Sequence, residues 1–257
     1  MTRVIKVGGR PQLDPALPAA LAAAHDAAPG SLIVVHGGGD EVGTLQRLYG
    51  VEARFDGGRR ITSALDLEII RMALSGSANK RLVAALIDHG IAALGLSGED
   101  AGLLRATPLD ADRYGYVGEP SSVNVSLLRH LLAGGVLPVI SPVSRNSSAT
   151  PSGPSTLNVN GDDAAAAIAA ALKADELLLV SDVAGVLVDG APVEELDADT
   201  AQQLIADGTA AGGMGAKLQA ALVALVGGVE RVRISDIAAI ESLDRGTVLT
   251  RVGSVCA

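Results

Sequence analysis

Residues 3–9 read Arg-Val-Ile-Lys-Val-Gly-Gly, and residues 32–39 repeat the device as Leu-Ile-Val-Val-His-Gly-Gly-Gly. Each is a short run rich in β-branched residues that closes on glycine, and an alanine- and leucine-rich stretch at helical spacing follows. Similar runs stand at 91–96, 137–141, 177–181 and 231–234. Helical spacing marks 15–27, 40–49, 64–74, 78–89, 125–133, 163–172, 199–206, 215–226 and 237–243. Strands that alternate with helices require right-handed crossovers and therefore a mainly parallel sheet. The expected fold class is α/β, a three-layer α/β/α sandwich with a mainly parallel central sheet.

Two stretches break the alternation. Residues 102–123, with turn residues at Asp110, Asp112 and Gly115, and residues 143–160, rich in Ser, Pro and Gly, read as hairpins or flaps. Asp189-Gly190, between two short apolar runs, signals a further small hairpin. A soft boundary near Ala174 divides the chain into 1–174 and 175–257, with no linker between them.

The 257 residues are 48% hydrophobic and 19% charged, a globular composition. A formal charge of −9 and only four aromatic side chains, Tyr49, Phe55, Tyr114 and Tyr116, argue against nucleic acid and anionic membranes as partners. Cys256 is the only cysteine, which excludes an intrachain disulfide and a cysteine-based metal site. The longest apolar run, 164–172, is far below the ~20 residues that span a bilayer, and the N-terminus lacks a signal-peptide core. A cytoplasmic location is expected.

In an open α/β sheet, ligands bind at the carboxyl ends of the strands. Here the loops at those ends carry Gly8-Gly9, Gly37-Gly38-Gly39, Gly95-Leu-Ser-Gly98 and Ser181-Asp-Val-Ala-Gly185. Backbone N–H groups exposed by glycine cradle anionic oxygens, so a nucleotide is the simplest ligand. Neither a P-loop nor G-x-G-x-x-G occurs, which disfavours both a P-loop NTPase and a dinucleotide oxidoreductase. Two isolated lysines, Lys6 and Lys217, remain to meet phosphate. A lysine within the apolar run Val4-Ile5-Lys6-Val7 is costly unless an anionic partner faces it. Asp162 also reads as an N-cap for the alanine-rich helix that starts at Asp163.

The ordered set Lys6-x-Gly-Gly, His36-Gly-Gly-Gly, Gly58-Arg59-Arg60-Ile61-Thr62, Ala78-Asn79-Lys80, Asn158-Val-Asn160-Gly-Asp162, Ser181-Asp-Val-x-Gly185 and Gly212-Gly-Met-x-x-Lys217 resembles the amino acid kinase family. Within it the likeness is to the members that phosphorylate N-acetylglutamate in arginine biosynthesis. The resemblance covers nearly the whole chain. It implies transfer of the γ-phosphoryl group of ATP to the γ-carboxylate of N-acetyl-L-glutamate, giving an acyl phosphate, with Mg2+ bridging the β- and γ-phosphates.

By the same resemblance Lys6 and Lys217 stabilise the transferring phosphoryl group, and Asp162 holds both lysines. Gly37 and Gly38 offer N–H groups to the phosphoryl group and the acceptor, while Arg60 and Asn158 hold the substrate's α-carboxylate. Gly8 and Gly9 serve the phosphates. Adenine and ribose fall to Asp182, Val183, Ala184, Gly185, Val186 and Leu187 together with Thr209, Ala210 and Ala211. Residues 1–174 become the acid-binding and dimerising lobe, and 175–257 the ATP lobe. No protein metal ligand is implied. His36 reads as a neutral core or turn residue, and Asn79 and Lys80 as supports of the substrate pocket.

Arg59, where many relatives carry an apolar residue, and Asp40, where proline is often found, depart from the pattern. Kinases of N-succinylglutamate or of carrier-linked glutamate or aminoadipate stay open as alternatives, as does a catalytically silent sensor, against which Lys6, Asp162 and Lys217 argue. The 143–160 stretch is either a mobile flap over the site or a plain surface loop. Arginine-inhibited relatives resemble rings of three dimers joined by a helix before the first strand. Only Met1 and Thr2 precede residue 3 here. A twofold homodimer through 64–74, insensitive to arginine, is therefore the expectation.

Overall fold

The computed structural model describes residues 1–56, 59–150, 153–188 and 190–251. Gly58, Asp189 and Cys256, named above, lie outside the described residues. The strands are β1 (Arg3–Val7), β2 (Leu32–His36), β3 (Arg54–Asp56), β4 (Arg59–Ile61), β5 (Ala93–Gly98), β6 (Leu104–Pro108), β7 (Val117–Val123), β8 (Leu137–Asn146), β9 (Thr156–Val159), β10 (Glu176–Val180), β11 (Leu187–Val188), β12 (Ala191–Pro192), β13 (Glu195–Asp197), β14 (Arg231–Ser235) and β15 (Thr247–Thr250). The helices are α1 (Leu17–Ala27), α2 (Gly39–Leu48), α3 (Ala64–Ile70), α4 (Asn79–Asp88), α5 (Ala111–Tyr114), α6 (Val125–Ala133), α7 (Gly161–Leu172), α8 (Ala198–Ala206) and α9 (Gly212–Val226).

The main sheet runs β13-β15-β14-β10-β1-β2-β8-β6-β7-β9, with β5 also on β8. It is parallel except at β14–β15, β6–β7 and β8–β9. The alternation of β1 explains the layers. Val4 faces a core shared with α6, α7, α8 and α9, whereas Ile5 and Val7 face one shared with α1 and α4. Helices on both faces bury the apolar strands, as a parallel sheet requires. Strand order turns at β1, with β2 on one side and β10 on the other. That is the position at which such folds open a ligand crevice.

The helices expected at 64–74 and 78–89 are one continuous helix through a π-helical stretch, Arg71–Ala78. Ser75, Gly76 and Ser77 read as a break, but the wider turn absorbs them, and Ser75 meets Ser141 hydroxyl to hydroxyl at 2.7 Å. The helix expected at 237–243 is only a short 3-10 turn, Ile237–Ile240. The carbonyls of Ala239, Ser242 and Arg245 accept instead from Arg233, and that of Ile240 from Arg3, so they are withdrawn from helix bonding. The hairpins expected at 102–123 and around 189 form as β6–β7 and β11–β12. The 143–160 stretch contributes two paired strands to the sheet, the end of β8 and β9.

Arg233 and Glu176 are fully buried and joined at 2.6 Å, with Arg3 on the other carboxylate oxygen at 2.6 Å. Burial pushes the Glu176 carboxyl up, but the two guanidinium groups more than offset this and hold it below its ordinary 4.5. A lowered folded value means that this contribution is whole above the ordinary value and fades as pH falls through the folded one. Glu176→Ala strands a buried arginine and should lower unfolding stability by about 3–5 kcal/mol at neutral pH. Urea titration checks this, and the gap to wild type should narrow in acid.

Candidate active site

Lys6 lies on the Val4 face of β1, pointing at α7. There its ammonium meets Asp162 Oδ1 at 2.8 Å, and Lys217 of α9 approaches Asp162 Oδ2 at 3.3 Å. All three side chains are at most 11% exposed. Burial raises the Asp162 carboxyl, yet Lys6 and Lys217 outweigh it and keep the carboxylate ionised below its ordinary range. Burial and the neighbouring Lys6 charge both push Lys217 down. The buried cluster therefore holds two ammonium groups against one carboxylate, a surplus of one positive charge. The cap of α7 is Asn160, whose side chain accepts from the Asp162 N–H at 2.7 Å, so Asp162 is not the cap and stands free to face the lysines.

Two cavities meet at this cluster. One, of about 250 Å³, is lined by Lys6, Gly38, Arg60, Asn158 and Asp162, with Val42, Ile70 and Leu74 as an apolar wall. The other, of about 380 Å³, is lined by Gly8, Gly9, Ser181, Asp182, Val183, Met214 and Lys217. Lys6 thus faces the first and Lys217 the second.

The Arg60 guanidinium lies over the Phe55 ring at 4.7 Å and donates to Gln46, which in turn donates to Asp66 at 2.5 Å. Burial lowers the Arg60 pKa and the Asp66 charge opposes that. Gln46 and Asp66 were not foreseen. The only sequence signal is Ser63-x-x-Asp66, a capping box that starts α3 and buries the carboxylate. Asn158 donates to the Thr62 hydroxyl at 3.0 Å and faces the same cavity.

Gly37, Gly38 and Gly39, the glycine loop after β2, all line the first cavity. The Gly37 N–H is taken by the Val7 carbonyl at 3.0 Å, a continuation of the β1–β2 ladder. Gly38 and Gly39 are the N-cap and first residue of α2, whose N–H groups have no partner within the helix. Gly38 has φ +151°, and a Cβ there would sit 2.7 Å from Leu74 Cδ2. On the nucleotide side, Val186 is buried in the core with its N–H on Thr247, while Ala184 and Gly185 pack against Ser235 and Thr247. Leu187 is exposed on β11. Ala210 lines a separate cavity behind α9, and Thr209 and Ala211 lead into that helix. Of the residues expected on this side, Gly8, Gly9, Asp182 and Val183 line the Lys217 cavity, and Ala210 packs against Gly215 of α9.

His36 is fully buried. Asn79 donates to His36 Nε2 at 3.0 Å and to the carbonyls of Val139 and Leu96, which leaves His36 Nδ1 to donate to the Gly37 carbonyl at 2.9 Å. Burial lowers the imidazole from 6.5 to about 4. The unfolded chain takes up this proton below 6.5 while the folded chain refuses it, so stability is whole above 6.5 and declines toward 4. Between pH 7 and 5 the loss due to His36 should be about 2 kcal/mol. Urea midpoints at the two pH values should show that increment in wild type and not in His36→Gln.

Among the described residues no helix is long and apolar enough to cross a membrane. The family model for the amino acid kinase family matches residues 1–236. An acetylglutamate kinase from Roseiflexus sp. (strain RS-1) is 45% identical over 250 residues, 96% of this chain and 93% of that one. One from Geobacillus thermodenitrificans (strain NG80-2) is 42% identical over 235 residues, 91% and 89% of the two chains. Among solved structures, smu.665 of Streptococcus mutans UA159 superposes with a TM-score of 0.85 at 29% identity, covering 97% of this chain and 98% of that one. With the aspartate-bridged lysine pair in a matching three-layer fold, these likenesses establish that the chain belongs to the amino acid kinase family.

Proposed function

We propose that the protein is an acetylglutamate kinase of arginine biosynthesis, which moves the γ-phosphoryl group of ATP to the γ-carboxylate of N-acetyl-L-glutamate. The observation that carries this reading is the Lys6–Asp162–Lys217 cluster at the junction of two cavities, one with a guanidinium and an amide, the other lined by glycines. A loose phosphoryl transition state spreads charge over its equatorial oxygens, and fixed cations aimed there supply most of the catalysis. Lys6 serves the side near the acceptor and Lys217 the donor side. Asp162 prevents the ammonium groups from drifting apart. The acceptor is already an anion, so no general base is needed. Arg60 and Asn158 grip the α-carboxylate, and the Gly38 and Gly39 N–H groups receive the phosphoryl oxygens at the α2 N-terminus. The wall of Val42, Ile70 and Leu74 suits a small acyl group.

ATP occupies the cavity of Gly8, Gly9, Asp182, Val183 and Lys217. Among the described residues no three His, Cys, Asp or Glu side chains converge as a metal cage. Mg2+ carried in with the nucleotide would supply charge neutralisation on its phosphates. The 1–174 part serves the acid and the 175–257 part the nucleotide, as their strands lie on opposite sides of β1. We assign the enzyme to the cytoplasm, as a homodimer through the face where Leu48, Tyr49, Leu65 and Met72 stand exposed.

ADP release with hydroxylamine trapping of acyl phosphate, across N-acetylglutamate, N-succinylglutamate, glutamate, aspartate and carbamate, tests the reading. Turnover restricted to unacylated substrates would overturn it. Lys6→Ala and Lys217→Ala should each lower kcat by about 10²-fold or more in a folded protein. Arg60→Ala should chiefly raise the KM for the acid and leave that for ATP near wild type, because a carboxylate clamp acts in ground and transition states alike. Light scattering should give a dimer mass that Met72→Asp reduces.

A further inference from the structure

Strand β4 carries two adjacent arginines, and the alternation of a strand sends them to opposite sides. Arg60 joins Gln46 and the Phe55 ring. Arg59 turns toward α7, where its Nη1 donates to Asp163 Oδ2 at 3.0 Å, and its Nη2 lies 3.7 Å from Glu119 of β7. Arg59 also lines both the acid cavity and the cavity behind α9, so its side chain forms the wall between them. Asp163 directly follows Asp162 in the first turn of α7.

The β3–β4 ribbon is a two-stranded sheet outside the main one, and a lone ribbon of this size is marginal in water. It needs external ties. Thr62 bonds its base to Tyr114 and Tyr116, and Asp56 of β3 pairs with Arg113 of α5 at 2.5 Å. Arg59–Asp163 is the ion pair between this ribbon and the helix that bears Asp162. We propose that the Arg59–Asp163 pair is a positioning latch, which fastens the ribbon carrying Arg60 to the helix turn carrying Asp162 and so fixes the α-carboxylate clamp relative to the reacting carboxylate. The inference rests on the reading of the acid cavity given above. A direct phosphate contact for Arg59 fits the geometry less well, since two carboxylates already face its guanidinium and offset its charge. The pair is partly buried, with side chains 27% and 18% exposed, which places it between a screened surface bridge and a core pair.

The test combines kinetics with hydrogen exchange on the full chain. Arg59→Met and Asp163→Asn should each raise the KM for N-acetylglutamate about tenfold, with kcat and the KM for ATP within about twofold of wild type. The double variant should be no worse than either single one, and Arg59→Lys should recover most of the loss. Without substrate, amides of β3 and β4 should exchange faster in both single variants. Unchanged exchange, or faster exchange with an unchanged acid KM, overturns the latch. A rise confined to the KM for ATP also overturns it and moves Arg59 to the nucleotide. If exchange quickens but wild type does not phosphorylate N-acetylglutamate, the mechanical latch stands and the substrate assignment falls.

Discussion

The rest of the site depends on one buried imbalance of charge. Two lysines and one aspartate sit together out of water, and desolvation penalises each of them. The carboxylate offsets one ammonium group and is shared by both, so the cluster keeps a positive surplus that only an incoming anion can meet. Removing Asp162 would leave two like charges side by side in a medium where their repulsion is poorly screened. The chain tolerates this arrangement because Lys6 is fixed by a central strand and Lys217 by a long helix packed on α7.

Around that cluster the protein uses neutral groups to aim other neutral groups. Asn79 fixes the His36 tautomer, and His36 holds the Gly37 carbonyl, which sets the direction in which the chain enters α2. The same asparagine ties β5 and β8 together through the Leu96 and Val139 carbonyls, and a Cβ on Gly95 would lie 2.0 Å from its amide oxygen. A charged imidazole here would add a third cation near Lys6, and burial of His36 keeps that charge away.

Much of this was legible in the sequence where the signal is local. The strand-glycine pattern at residues 3–9 and 32–39 marks the carboxyl ends of β1 and β2, where the strand order turns and such sheets open a ligand crevice. Lys6 within an apolar run already implied an anionic partner, and the ordered motifs identified that partner as Asp162. What escaped the reading depends on contacts between distant segments. The ribbon at Arg54–Asp56 and Arg59–Ile61 has three-residue strands with little alternation, too short for a periodicity signal. Strand β15 and the short turn at Ile237–Ile240 follow the demands of Arg233, a buried arginine that collects carbonyls from three residues beyond it in the chain. Gln46 and Asp66 look like ordinary helix-surface residues until α2 and α3 are brought together. The β1–β2 ladder claims the Gly37 N–H, which no motif states.

The first turn of α7 gathers these threads. Adjacent residues on a helix point about 100° apart, so Asp162 and Asp163 face different neighbours although they share one turn. Asp162 faces two ammonium groups and is held below the ordinary carboxylate range. For Asp163, burial outweighs Arg59 and leaves the carboxyl raised. The first carboxylate organises the lysines, while the second meets the ribbon that carries Arg60. One rigid turn, capped by Asn160 and packed on the sheet's point of reversal, thereby refers both the proposed phosphoryl-transfer cations and the proposed substrate clamp to the same backbone. That common reference is what in-line transfer between two bound anions requires, because an error in either position is an error in the distance between them.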